Sequence, residues 1–103
     1  MVITLEEVYR YIPIDYPDAV IEANVQRAMA AATQTLRGSI GADVEELLPN
    51  DPRVKELALI YTDDLYSTKG VAAKVSNATR LSVATMETQL RLELRRLREA
   101  ASV

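Results

Sequence analysis

The fold of this chain is decided by residues 52–68, which read PRVKELALIYTDDLYST. The main apolar stripe of this segment has helical spacing and consists of Val54, Leu57, Ala58, Tyr61 and Leu65. Leu59 and Ile60 widen the stripe on either side, and a helix that is apolar over so much of its circumference is usually central in its fold. Pro52 suits the first turn of a helix, because its missing N–H would have no partner there. We therefore predict a buried central helix over residues 52–68, closed by Gly70.

A short helix is predicted before this segment, from about Leu5 to Tyr11. Thr4 and Glu7 have the spacing of a capping box, in which each side chain bonds the backbone amide of the other residue. Pro13 is expected to end the helix, because its ring pushes Ile12 toward extended backbone.

The longest predicted helix covers roughly residues 17–37. Its apolar face is formed by Ile21, Val25, Ala28, Met29, Ala32 and Leu36. Asp15 or Tyr16 is expected to cap its start, with Pro17 in the first turn. Gly38 is expected to cap its end.

The rest of the chain is predicted to form two connections and a final helix. From Ser39 to Asp51 turn-forming residues dominate, with one helical turn at Asp43–Leu48. Residues 69–81 show no clear periodicity, and connections of that length are commonly either functional or disordered. Ser82 is expected to cap a last helix that reaches about Ala100. The apolar side of that helix is formed by Val83, Met86, Leu90, Leu94 and Leu97.

The whole pattern predicts an all-α fold. Alternating strand patterns are absent, and the apolar segments have helical spacing. At 103 residues the chain has the length of one domain with one modest core. We therefore expect residues 1–103 to form a single domain, a small bundle of four main helices with short connections that contain Pro and Gly.

The formal net charge of −3 is unevenly distributed along the chain. Residues 1–79 carry 7 basic and 12 acidic side chains, whereas residues 80–103 carry 5 basic and 3 acidic ones. An acidic body argues against wholesale binding to nucleic acid, which needs clustered Lys and Arg. The mildly basic tail leaves a local basic patch open.

The chain lacks residues that several classes of protein function require. The chain contains no His and no Cys, so the usual proton shuttle, disulfides and zinc–thiolate sites are not on hand. No Gly-rich phosphate loop and no nucleophile motif is present. There is no run of about 18 apolar residues that could span a membrane. We expect no enzyme, no cofactor and no membrane partner, and we expect the protein to be made in the cytosol.

Asp63 and Asp64 are adjacent and invite a metal-binding interpretation. Neighbouring residues on a helix point about 100° apart, so the two carboxylates do not converge on one ion. With no His to complete a ligand set, we interpret both as exposed surface carboxylates and predict no metal site.

Four arginines cluster on the last predicted helix with three glutamates between them: Arg91, Arg95, Arg96 and Arg98 with Glu87, Glu93 and Glu99. The spacing predicts ion pairs between Glu87 and Arg91 and between Arg95 and Glu99. One interpretation is a solvated helix face with partial pairing, and the other is a docking surface for an acidic partner or DNA phosphate.

Leu92 lies off the stripe that contains Leu90 and Leu94 and would be exposed in a monomer. The sequence therefore indicates a contact between Leu92 and a second chain.

Five segments together resemble the small head-to-tail connector proteins of tailed bacteriophages and prophages, which are often labelled DNA-packaging or head-completion proteins. The segments are Ile3-Thr4-Leu5-Glu6-Glu7, Tyr11-Ile12-Pro13-Ile14-Asp15, the long second helix, the Pro52-Arg53-Val54-Lys55 start of a helix that runs to Leu65-Tyr66, and Leu81-Ser82-Val83. Residues 67–70 depart from the pattern, because a more polar sequence with Asn and Arg is expected there. The last helix also continues well past its opening motif.

The resemblance implies a small helical bundle without catalytic residues. About a dozen copies would form a ring beneath the portal and extend the DNA channel. The implied partners are other copies of the chain, the portal protein and tail or stopper proteins, with DNA passing through non-specifically. The implied location is the head–tail junction of the virion, after assembly in the bacterial cytoplasm. Leu92, Arg91, Arg95 and Arg98 are then candidates for the subunit or portal interface, and Asp63 and Asp64 for the channel wall.

Two other functions stay open at this point. A small helical DNA-binding regulator would use the arginines from Arg91 to Arg98 against phosphate. A helical adaptor for a cellular protein would act as a monomer or dimer.

Overall fold

A computed structural model describes residues 2–14, 16–67 and 77–101, apart from the side chains of residues 67 and 77–80. The described residues form five helices and no strand: α1 (Leu5–Tyr11), α2 (Ala19–Ser39), α3 (Val44–Leu47), α4 (Pro52–Ser67) and α5 (Asn77–Ala101). The all-α prediction is confirmed. The single turn of α3 lies where one helical turn was predicted.

Two apolar clusters hold the helices together, and both α2 and α4 contribute to each cluster. The first joins the end of α2, α3, the start of α4 and α5, with the buried residues Leu36, Ile40, Val44, Val54, Leu57, Leu90 and Leu94. The second joins the N-terminal segment, α1, the start of α2 and α4, with the buried residues Ile3, Val8, Ile12, Val25, Met29 and Ala58. The end of α2 thus meets the start of α4, so the two helices run antiparallel. They form the most extensively packed helix pair in the described chain.

The central position predicted for residues 52–68 is confirmed, because α4 packs against α1, α2 and α5. Two details of its stripe differ from the prediction. Leu65 is 40% exposed, since it lies in the last turn of α4 and belongs to neither cluster. Thr62 is fully buried instead, and its hydroxyl donates to the carbonyl oxygen of Ala58 at 2.7 Å. This bond lets a polar residue occupy the core without an unpaired group. Gly70, the predicted end of the helix, lies outside the described residues.

The predicted capping box of α1 is confirmed. The Thr4 amide donates to Glu7 Oε1 at 3.0 Å, and the Glu7 amide donates to Thr4 Oγ1 at 3.2 Å. The other carboxylate oxygen of Glu7 accepts from Lys55 Nζ at 3.4 Å, which links α1 to α4.

The predicted caps of α2 are wrong at both ends. The helix begins after Asp18, whose carboxylate accepts the Ile21 amide at 2.8 Å, so neither Asp15 nor Tyr16 caps it. Asp18 is favoured because its side chain can reach the amide three residues ahead; Asp15 itself is outside the described residues. At the other end the helix runs through Gly38, because one further turn buries Ile40 in the first cluster.

The predicted start of the last helix is also wrong. Ser82 lies inside α5, which begins at Asn77. Leu81 and Ser82 are the first residues of α5 whose side chains are described, and both are exposed. They therefore do not belong to the buried apolar stripe of the helix. Apolar periodicity locates only the part of a helix that packs against something, and here that part begins at Val83. Of the predicted connection over residues 69–81, residues 77–81 are helical and 69–76 lie outside the described residues.

Candidate interaction surface on the last helix

The inner side of α5 holds the helix against the body of the protein. Leu90 and Leu94 are fully buried. Val83 and Met86 pack against the same cluster, and Leu97 is half-buried. The predicted apolar stripe of the last helix is therefore confirmed.

The opposite side of α5 carries a second row of apolar side chains, which we call the outer stripe: Leu81, Ala84, Thr85, Thr88 and Leu92. At 100° per residue these positions fall within an arc of about 100°, centred opposite Leu90. Leu81 is 70% exposed and Leu92 is 62% exposed, which confirms the predicted exposure of Leu92 in the single chain. The two leucines are three helical turns apart, or about 16 Å.

The two threonines of the outer stripe turn their hydroxyl groups onto the backbone of their own helix. The Thr85 hydroxyl donates to the carbonyl oxygen of Leu81 at 2.8 Å, and the Thr88 hydroxyl donates to that of Ala84 at 2.9 Å. A hydroxyl that bonds the carbonyl four residues back needs no further acceptor. The methyl groups therefore join Leu81 and Leu92 in one apolar row. Of this row only Leu92 was identified from the sequence, although the 4-3-4 spacing of residues 81, 85, 88 and 92 was an available signal.

Two of the arginines predicted for an interface hold α5 to the rest of the protein. Arg91 Nη1 donates to the carbonyl oxygen of Ser39 at 2.9 Å, at the end of α2. Within the described residues this contact replaces the expected pair with Glu87. Arg98 forms a two-pronged ion pair with Asp43, with 2.8 Å between Nε and Oδ2. Both contacts link positions more than fifty residues apart, so neither could be derived from local spacing.

The other two arginines pair within α5. Arg95 lies 3.5 Å from Glu99, as predicted, and both side chains are largely exposed. Arg96 Nε donates to Glu93 Oε2 at 3.2 Å. Exposed pairs of this kind contribute little to stability. Together with the previous two contacts they give every arginine between residues 81 and 101 an acceptor in its own chain.

Acid is expected to weaken the hold of Asp43 on Arg98. Hydrogen bonds from Arg98 lower the pKa of the Asp43 carboxyl below its ordinary value, so the charged form is favoured in the folded protein. Because the carboxyl has a lower pKa in the folded protein than its unfolded value of about 4, its charged form stabilises the fold at a pH above about 4. This stabilisation is lost as the pH falls through the lower pKa of the folded state. We expect the Tm to be nearly constant from about pH 7 to pH 5 and to fall below about pH 4.

The matched variant is Asp43→Asn, which removes the charge and keeps the shape. Its Tm should lie below that of the wild type at neutral pH, and the gap should close toward pH 3 in a thermal denaturation series. A gap that stays constant across the series would show that the ion pair is not the source of the effect.

A different surface collects negative charge on α4. Glu56, Ile60 and Asp63 are spaced four and three residues apart and share one side of the helix. The pKa of Tyr11, which packs at the end of α1, is raised first by burial and then by the negative charges of Glu56 and Asp63. We call these four residues the acidic face. Asp64 is exposed and points about 100° away from Asp63. That Asp63 and Asp64 line a channel stays a prediction.

Other kinds of site find no support in the described part of the chain. No group of three or more acidic side chains there is placed to hold a metal ion. None of the helices described is both long enough and apolar enough to cross a bilayer.

Comparison with known proteins assigns no relative to this chain. No family model, no curated protein and no solved structure matches it. The outer stripe, its flanking arginines and the acidic face are therefore the features from which a function can be inferred.

Proposed function

We propose that this protein is a structural subunit that assembles with copies of itself through α5, as a ring-forming connector at the head–tail junction of a tailed phage or prophage. The observation that carries the proposal is the outer stripe, which exposes Leu81 and Leu92 on a helix whose other side is already buried. A contiguous apolar row on a solvent-facing helix marks an interaction site.

The identification as a connector draws on the sequence resemblance. A short capped helix, a long helix, a central helix and a long last helix follow one another in the expected order. In this proposal the ring lies beneath the portal, contacts tail or stopper proteins, and lets DNA pass without binding it. Asp63 and Asp64 are the candidates for the channel wall, where like charge keeps DNA from sticking.

The arginine contacts weigh against the DNA-binding regulator. Duplex binding requires cationic side chains that exchange counterions at phosphate. In α5, Arg91 and Arg98 hold the tertiary structure, and Arg95 and Arg96 have carboxylate partners. A gel-shift titration at two salt concentrations separates the functions, because tight binding with a steep salt dependence would favour the regulator.

The substitution Leu92→Glu tests the assembly function directly. It places a charge at the C-terminal end of the outer stripe while leaving the inner side of α5 intact. We expect self-association to weaken by at least about tenfold, with helix content and Tm nearly unchanged. Sedimentation velocity over a concentration series gives the first quantity, and circular dichroism gives the other two.

The control is Gln34→Glu, which adds the same charge at an exposed position on α2. It should leave both association and stability as they are in the wild type. If Leu92→Glu unfolds the monomer, Leu92 belongs to the core; if association is unchanged, the outer stripe is not the assembly surface.

The connector identity has its own test, which is imaging of the purified protein alone and with the portal protein of its genome. Rings of about a dozen copies are expected on the portal. Monomers or dimers that never join a portal would favour the adaptor function instead. Portal and major capsid genes beside the gene of this protein would support the connector.

A further inference from the structure

We propose that residues 39–43, which lead from the last residue of α2 to the start of α3, act as a bracket that orients α5 for assembly. The bracket sets the rotation of α5 about its long axis, and thereby the direction in which the outer stripe faces. This inference rests on the proposed self-assembly and names the residues that control it. The orientation itself is a property of the single chain and can be measured there.

Every second residue of the bracket meets α5, and each successive contact lies about one turn further along that helix. The three contacts are Ser39 with Arg91, Gly41 with Leu94, and Asp43 with Arg98. The outer two are hydrogen bonds of 2.9 Å and 2.8 Å. The middle one is a close approach, because a Cβ atom at Gly41 would lie 2.5 Å from Leu94 Cδ2. The bracket therefore follows two turns of α5.

The apolar row on the inner side of α5 attaches the helix but defines its rotation only loosely. Leu90 and Leu94 are fully buried, whereas Val83, Met86 and Leu97 are half-buried. All five lie within an arc of about 80° around the helix. Because apolar contacts are non-directional, a helix that is held along one such row can roll about it with small changes in packing.

The bracket lies where it opposes such a roll. Arg91 and Arg98 are about 100° and 80° from Leu90 around the helix, so their contacts are a quarter of a turn from the inner side. A roll toward the bracket is blocked at Gly41, which already packs against Leu94. A roll away from it lengthens the two hydrogen bonds, which weaken steeply outside their preferred geometry.

The bracket contributes more to orientation than to stability. The side chains of Arg98 and Asp43 are 48% and 31% exposed, and ion pairs with this much exposure add little to the free energy of unfolding. Without the bracket, the buried leucines still hold α5 against the body. A roll of 30° nevertheless moves the tip of Leu92 by about 3 Å. That displacement separates it from a partner side chain, since apolar contacts extend to only about 4 Å.

A distance measurement on the single chain tests the orientation. The chain has no cysteine, so spin labels can be placed at Leu92→Cys and Gln34→Cys, two exposed positions on α5 and α2. Asp43→Asn/Arg91→Gln in this background should broaden the distribution of distances between the labels, or shift it by about 3 Å. Circular dichroism should show unchanged helix content.

The matched control is Glu6→Gln/Arg10→Gln, which also removes one acidic and one basic side chain. It breaks an exposed ion pair within α1 and should leave the distance distribution as it is in the labelled parent. If the Asp43→Asn/Arg91→Gln chain kept the parent distribution, the bracket would not orient α5. If that chain lost helix content, the bracket would hold the fold instead, and the proposal would be overturned as well.

Restoring the constraint covalently tests its effect on assembly. In Asp43→Cys/Arg98→Cys the ion pair is lost, and we expect self-association to be about tenfold weaker than in the wild type. A short thiol cross-linker that joins the two cysteines should recover most of it, although the arginine is still missing. Sedimentation velocity of the same chain before and after cross-linking gives the comparison.

The two proposals fail in different ways. A cross-linked chain that is folded but associates as weakly as the open chain would overturn the role of the bracket and leave self-assembly intact. Wild-type protein that stays monomeric with and without the portal would overturn the proposed function. The distance measurement would still show whether the bracket orients α5.

Discussion

Replacing Leu90 with alanine is expected to lower the free energy of unfolding by about 3 kcal/mol. Leu90 is fully buried in the first cluster, where it joins α5 to the start of α4 and the end of α2. The substitution removes apolar contacts and leaves a cavity that the surrounding side chains fill only in part. For a domain of this size the Tm should fall by roughly 10–20 °C.

Leu92→Ala is the matched control, two residues along the same helix. Because Leu92 is 62% exposed, the same change should alter the free energy of unfolding by less than about 0.5 kcal/mol. Urea denaturation, at a protein concentration low enough to keep the chain monomeric, measures both variants. Equal losses would mean that α5 is oriented differently from the structure.

Replacing Gly41 with alanine is expected to cost about 1–3 kcal/mol. A Cβ atom at Gly41 would lie 2.5 Å from Leu94 Cδ2 and 2.5 Å from Arg98 Nη2. Leu94 is fully buried and cannot withdraw without opening the first cluster. Arg98 can move only by loosening its pair with Asp43. The extra methyl group therefore disturbs two contacts that hold α5 in place.

Gly38→Ala provides a control with the opposite sign. Gly38 lies inside α2, and a Cβ atom there would meet nothing within 4 Å. Alanine in a helix interior is favoured over glycine by about 1 kcal/mol. Thermal denaturation should therefore show a higher Tm for Gly38→Ala and a lower one for Gly41→Ala. Two changes of the same sign would contradict the close approach at Gly41.

The parts of the fold that follow from local rules could be predicted from the sequence. The capping box of Thr4 and Glu7 and the central helix after Pro52 depend on neighbours within a few turns. The start of α5 was not predicted, because Leu81 faces solvent and lies outside the buried stripe from which the helix was located. Asp18 was not predicted as the cap of α2, because Pro17 was placed in the first turn of the helix and the cap was therefore expected before it.

The candidate site was predictable only in its exposed part. Leu92 stood out because it lies off the packed stripe, and the structure places it outside. The outer stripe around it depends on hydroxyls that Thr85 and Thr88 turn back onto the helix. The partners of Arg91 and Arg98 come from distant parts of the chain, so they depend on the tertiary fold.

The two-sided character of α5 also bears on the geometry of any assembly. The buried leucines and the Asp43–Arg98 pair fix the rotation of α5 about its own axis. The exposed leucines therefore point in one direction relative to the body of the protein. A slip of one residue would rotate that direction by about 100°. If copies assemble through α5 as proposed, the inner packing of this helix sets the angle between successive copies.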